Sequence, residues 1–188
     1  MSTTDRYTTT AIALHWLIFA LIACGFTLAV YMVDLTLSPL KLKYFAWHKW
    51  LGVTVFLLAL VRAAWRRTHR APPFPPGIPE WQRHAASAMH MALYALILTI
   101  PVTGWLYSSA AGVPTVYLGV MPLPDLVLKD KALAELLKYV HVTLNYTLLV
   151  LVVMHVIAAL QHHFVARDEV LARMLPWTHV RKGNPGNA

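Results

Sequence analysis

From Ala11 to Val33 the chain runs for twenty-three residues without a formal charge. A helix of that length rises about 34 Å, enough to cross a hydrocarbon core about 30 Å thick. Backbone amides in lipid have no water to bond, so the run must be helical, and a chain that begins this way is committed to a membrane. Only Arg6 and a polar STTD/TTT leader precede it. It is too long for a signal-peptide apolar region and lacks a basic leader and a small-residue cleavage site, so it reads as a retained span.

Three further apolar stretches predict spans at about 44–65, 85–107 and 136–166, the last longer than a bilayer needs. No Asp, Glu, Lys or Arg occurs between Arg83 and Asp125, and Pro101 predicts a kink near the far end of the third span. The links are short. DLTLSPLKLK, from Asp34 to Lys43, reads as a turn outside the bilayer, and APPFPPGIPE, from Ala71 to Glu80, as an extended connector, because each proline removes a donor and restricts its neighbour. The segment from Ser108 to Leu133, with GVPTVYLGVMPLPD, reads as a loop lying on the bundle. At 188 residues, 58% hydrophobic and 13% charged, the expectation is one all-α membrane domain over residues 1–176, a four-transmembrane-helix bundle, with a polar tail at 177–188.

The net charge of +8 sits at the ends of the apolar segments, where topology and anionic lipid headgroups account for it; no basic stripe or recognition motif points to nucleic acid. Ten basic residues, nine of them Arg, fall on the side of the N-terminus, the proline connector and the C-terminus; the other side carries six, all Lys. This bias places both termini in the cytoplasm. The single cysteine, Cys24, excludes an internal disulfide, reads as a small buried hydrophobe, and leaves no CxxCH motif for covalent haem.

Histidines are the chemistry-bearing residues. His141 and His155 lie fourteen residues apart on the fourth span, just under four turns, so they share a face about 21 Å apart along the axis. Ionisable side chains at such depths mark functional paths. His48 joins His141 on the outer side, and His15 and His90 join His155 on the inner side. Each taken alone has a plainer reading, as an interfacial or a buried, hydrogen-bonded histidine. Together they give each side what a bis-histidine haem needs, two neutral imidazoles from different helices. A path for zinc or iron ions is the alternative, but no Asp or Glu lies within the spans to pass on a hard cation.

The segments ALHWLIFALI around His15, WHKWLG around His48, HMALYALILTIPVTG from His90, HVTLNY with MHVIAALQHHF from His141, and the closing RDEVLARMLP resemble the prokaryotic cytochrome b561 family, over about Thr10 to Pro176. The resemblance implies four transmembrane helices enclosing two haem b groups, with His48 and His141 as ligands of the outer iron and His15 and His155 of the inner. His90 remains an alternative to His15, or a contact to a haem propionate or a quinone. His162 and His163 read as interfacial residues.

The resemblance further implies a superoxide oxidase, a superoxide:ubiquinone oxidoreductase of the bacterial inner membrane that oxidises superoxide on the outer side and makes ubiquinol. Lys49, beside His48, and the other outer lysines then supply a field that attracts the superoxide anion. Ordinary solvated flanks are the plainer reading of those lysines. The competing function is a quinone-linked electron-transfer subunit serving a dehydrogenase, a hydrogenase or a soluble redox partner protein.

Overall fold

The computed structural model describes residues 6–75 and 77–177. Four helices dominate it: α1, Thr9–Val33; α2, Pro39–Thr68; α3, Glu80–Ala110; and α4, Lys131–Gln161. Each is long and apolar enough to cross a membrane. The molecule is an all-α, four-span membrane bundle, and its large side chains face outward as lipid requires; Val30, Val150 and Ile157 are each more than half exposed.

The helices start earlier than hydropathy suggests, because caps rather than apolarity set their ends. Ser38 accepts a hydrogen bond from the Lys41 amide and Pro39 takes the first helical position, where its missing N–H costs nothing. The stretch 39–43, expected in a turn, is therefore the first turn of α2. Asp130 caps α4 in the same way through the Leu133 amide. The last turn of the fourth span is a π-helical turn, His162–Ala166, ending at Arg167 with a left-handed φ of 54°. The tail beyond Trp177 lies outside the described residues.

Contacts are extensive between α1 and α2, α2 and α3, and α3 and α4. On α1 the inward stripe includes His15, Ile18, Ile22 and Gly25; on α2 it includes His48, Gly52, Val55, Ala59 and Arg62; on α3 His90, Ile97 and Gly104; on α4 His141, Leu148 and His155. These are steps of three, four or seven, the periodicity of one helical face. Ile18, Val55, Ala59 and Leu148 are all buried, which fixes the stripes as the interior.

At the end of the bundle away from the α1 N-terminus, the outer end by the charge bias of the sequence, the expected loop contains a small antiparallel hairpin, β1 (Thr115–Tyr117) with β2 (Met121–Leu123). It is tied down along its length. Trp50 donates to the Val116 carbonyl at 2.7 Å, the Thr54 and Tyr117 hydroxyls meet at 3.0 Å, and Trp105 donates to the Pro124 carbonyl at 3.1 Å. At the inner end a short strap closes the bundle: Trp16 donates to the Met174 carbonyl at 2.8 Å, Arg6 to the Leu175 carbonyl, and Arg173 to the Pro73 carbonyl at 2.6 Å.

Candidate haem sites

The interior stripes bring four of the predicted histidines together in two pairs. His48 of α2 faces His141 of α4 with ring centroids 6.4 Å apart and planes at 87°. His15 of α1 faces His155 of α4 at 6.3 Å and 68°. A metal–imidazole bond of about 2 Å, with about 1.1 Å from the nitrogen to the ring centre, puts the centroids of two axial imidazoles about 6.3 Å apart. Both pairs have that spacing. His90 of α3 also faces His155, but at 5.3 Å, too close for two imidazoles on opposite sides of one iron.

The outer pair is held by its second nitrogens. His48 Nδ1 donates to the Gly25 carbonyl on α1 at 3.1 Å. His141 Nδ1 donates to the Ile100 carbonyl of α3 at 3.1 Å and lies 3.0 Å from the Thr103 hydroxyl, which itself donates to Ile100 at 2.8 Å. Both rings are thus fixed as the tautomer that leaves Nε2 a free lone pair, the second contact typical of metal-bound histidine. Gly104 completes the seat. A Cβ there would stand 2.9 Å from His141 Cε1, so only glycine lets α3 lie against this ring.

Between these rings is a small, open-sided cavity of about 70 Å³, lined by Leu21, Gly25, Phe26, Gly52, Val55, Ile97, Pro101, Asn145 and Leu148, among others. Its wall is apolar. A Cβ added to Gly25 or Gly52 would meet no atom within 4 Å, so these glycines open space rather than permit a close contact. Two opposed imidazoles at axial spacing, a nonpolar wall and glycines facing the gap fit a flat, hydrophobic b-type haem. Among the described residues, no group of three or more His, Cys, Asp or Glu is arranged to hold a metal ion directly.

Elsewhere the structure assigns less expected partners. Lys49 is half-buried, its ammonium bonded to the Val113 and Pro114 carbonyls at 3.2 Å each, so it tethers the outer loop as well as carrying charge. His162 bonds Asp168 at 2.5 Å across the π-helical turn, and His163 packs its ring on Phe164. Gly25, Thr103 and Gly104 were not singled out in the sequence. The signal was there in spacing, since His90, Ile97 and Gly104 are seven apart on α3.

Comparison with known proteins gives the family. The model of the prokaryotic cytochrome b561 family matches residues 6–177. The chain is 33% identical over 181 residues to cytochrome b561 homolog 2 of Escherichia coli (strain K12), covering 93% of each. It is 29% identical over 175 residues to cytochrome b561 homolog 1 of the same organism, covering 92% of this chain and 98% of the relative. It is 25% identical over 181 residues to a protein of Yersinia pestis named probable superoxide oxidase CybB, covering 91% and 96%. The chain belongs to the prokaryotic cytochrome b561 family, membrane electron-transfer proteins that carry haem b.

Proposed function

We propose that this protein is a two-haem superoxide:ubiquinone oxidoreductase of the bacterial inner membrane, with both termini in the cytoplasm. The observation that carries the reading is the pair of histidine couples at axial spacing, joined by the His141–His155 stripe of α4. His48 with His141 would hold the outer haem and His15 with His155 the inner, while His90 is too near His155 to act as its axial counterpart. A haem b held by two imidazoles would supply one-electron transfer.

The overall reaction balances simply. Two superoxide anions give two dioxygen molecules and two electrons, and ubiquinone takes both electrons with two protons to become ubiquinol. The chain's own contribution is to orient and to exclude. Nδ1 hydrogen bonds fix the outer imidazoles, the apolar wall keeps water away, and the hairpin roofs the outer end. All six lysines of the outer side lie toward that end, in keeping with an anionic substrate. The relative named as a probable superoxide oxidase supports the same reading.

The test is superoxide consumption by the purified protein, with and without ubiquinone, with b-haem absorption followed in the same cuvette. The expected result is rapid haem reduction by superoxide, then reoxidation that depends on quinone. Haem that stays oxidised under superoxide would make the protein an electron-transfer subunit for another donor.

A further inference from the structure

α2 enters the interior with a histidine and leaves it with two arginines. His48, Val55 and Arg62 are spaced by seven, so the half-buried Arg62 continues the inward stripe, and Arg66 follows it by one turn, exposed in the last turn of the helix. Arg62 donates to the Ala11 carbonyl, one turn before His15 on α1. It lies close enough to His15 and His90 to act on both electrostatically, as Arg66 does on His90. Arg66 also stands 5.9 Å over the Tyr94 ring, and the Tyr94 hydroxyl, one turn past His90 on α3, is buried without a hydrogen-bond partner.

This is a donor set with no anion. The ion pair present among the described residues joins His162 to Asp168, and neither Arg62 nor Arg66 has a carboxylate. Cations within a spanning helix are costly unless paired, and a buried hydroxyl without a partner adds to the cost. The sequence offers no Asp or Glu between Arg83 and Asp125, so beyond its first residue, Glu80, α3 has none to give. An anionic oxygen from outside the chain is needed. Haem b carries two carboxylates, and a phospholipid headgroup carries a phosphate. The neighbours His15 and His90, the buried Ala59 one turn before Arg62 and the buried Tyr94 hydroxyl place Arg62 and Tyr94 toward the interior, with the exposed Arg66 at the edge of the cluster.

We propose that Arg62, Arg66 and Tyr94 form a carboxylate site that holds a propionate of the inner haem and makes that haem the better electron acceptor of the two. This rests on His15 and His155 being a haem pair. Arginine suits a carboxylate through its planar fork of donors. A nearby positive charge favours the reduced, more negative state of the group, so it raises the reduction potential. These three are positioning residues, acting through the propionate.

The experiment uses the holoprotein, purified from cells supplied with a haem precursor labelled with ¹³C in the propionate carboxylates. Redox titration gives the two midpoint potentials, H15A identifies the inner one, and infrared redox-difference spectra report the labelled carboxylate bands. The Arg62→Gln, Arg66→Gln double variant is expected to lower the inner potential, shift the labelled bands of one haem and leave the outer haem unchanged. Y94F should move the bands less, and the Lys, Lys double variant should restore much of the potential but not the band positions. Selective loss of the inner haem in the Gln variant, reversed by Lys, also supports the site. Unchanged bands and potentials, equal loss of both haems, or a shift in phosphate rather than labelled carboxylate bands would overturn it. A wild-type protein with one haem per chain would overturn the two-haem reading as well, a result separate from two haems that ignore the arginines.

Discussion

The two histidine pairs share a spacing and differ in almost everything around it. The outer pair is held by backbone: carbonyls of Gly25 and Ile100 fix both rings, and a hairpin roofs them. No corresponding bond holds His15 or His155 among the described residues; they are surrounded by charge and a third imidazole, with Arg62 and His90 close by. One fold has made a rigid, nonpolar site at one end and a cationic, polar one at the other. If both pairs hold haem as proposed, such a contrast would give the two centres different potentials, because hydrogen bonding and nearby charge are the levers a protein has over haem.

The largest effect that breaks the comparison is loss of a ligand. H48A or H141A is expected to remove the outer haem alone, and H15A or H155A the inner alone, halving the haem measured per chain. H90A is expected to keep both, since 5.3 Å to His155 is not an axial separation. If H90A loses a haem and H15A does not, the inner assignment is reversed. Gly104→Ala comes next. Its Cβ would press on His141 Cε1 from 2.9 Å, and overpacking of this kind costs about 1–3 kcal/mol. The expected result is weaker retention of the outer haem and an altered low-spin spectrum for it, with the inner spectrum untouched.

Much of this was legible in the sequence because lipid imposes so few choices. Four apolar runs had to be helices, and the depths of His15, His48, His90, His141 and His155 followed from counting residues along them. What escaped has physical causes. Helix ends were misplaced by a few residues at 39–43 and 131–135 because Ser38 and Asp130 act as caps, and caps are independent of apolarity. The hairpin at 115–123 was missed since its strands are three residues long, too short for an alternating pattern, and one turn residue, Leu118, takes a left-handed φ of 53° that favours glycine. His15 and His90 differ by about 1 Å in their ring separation from His155, a difference that no spacing in sequence contains.

A smaller effect sharpens the outer site. Thr103→Val removes the hydroxyl 3.0 Å from His141 Nδ1 while the Ile100 carbonyl still accepts from the ring. A single hydrogen bond of this type contributes about 1 kcal/mol. The outer potential should shift measurably and haem content should stay at wild-type level. A shift of the inner potential instead would mean that Thr103 reports on the bundle as a whole rather than on one ring.

The smallest effect concerns Lys49, where charge and tether have to be separated. Its ammonium bonds the Val113 and Pro114 carbonyls, so removing it can slow superoxide either by weakening the field or by loosening the loop over the site. Glutamine keeps an amide donor for those carbonyls and discards the charge; methionine discards both. Lys49→Gln is expected to slow haem reduction by superoxide about threefold at low salt, the scale of one charge in a steering field, with the difference vanishing as salt screens it. If Lys49→Met alone is slow, and slow at every salt concentration, Lys49 acts by holding the loop. Steering would then fall to the remaining outer lysines, of which Lys41 is itself bonded to the Val33 and Leu35 carbonyls and Lys43 lies 4.8 Å over the Trp47 ring. Those contacts orient each cation without neutralising it, so the outer end keeps a positive potential that the loss of any one lysine only dents.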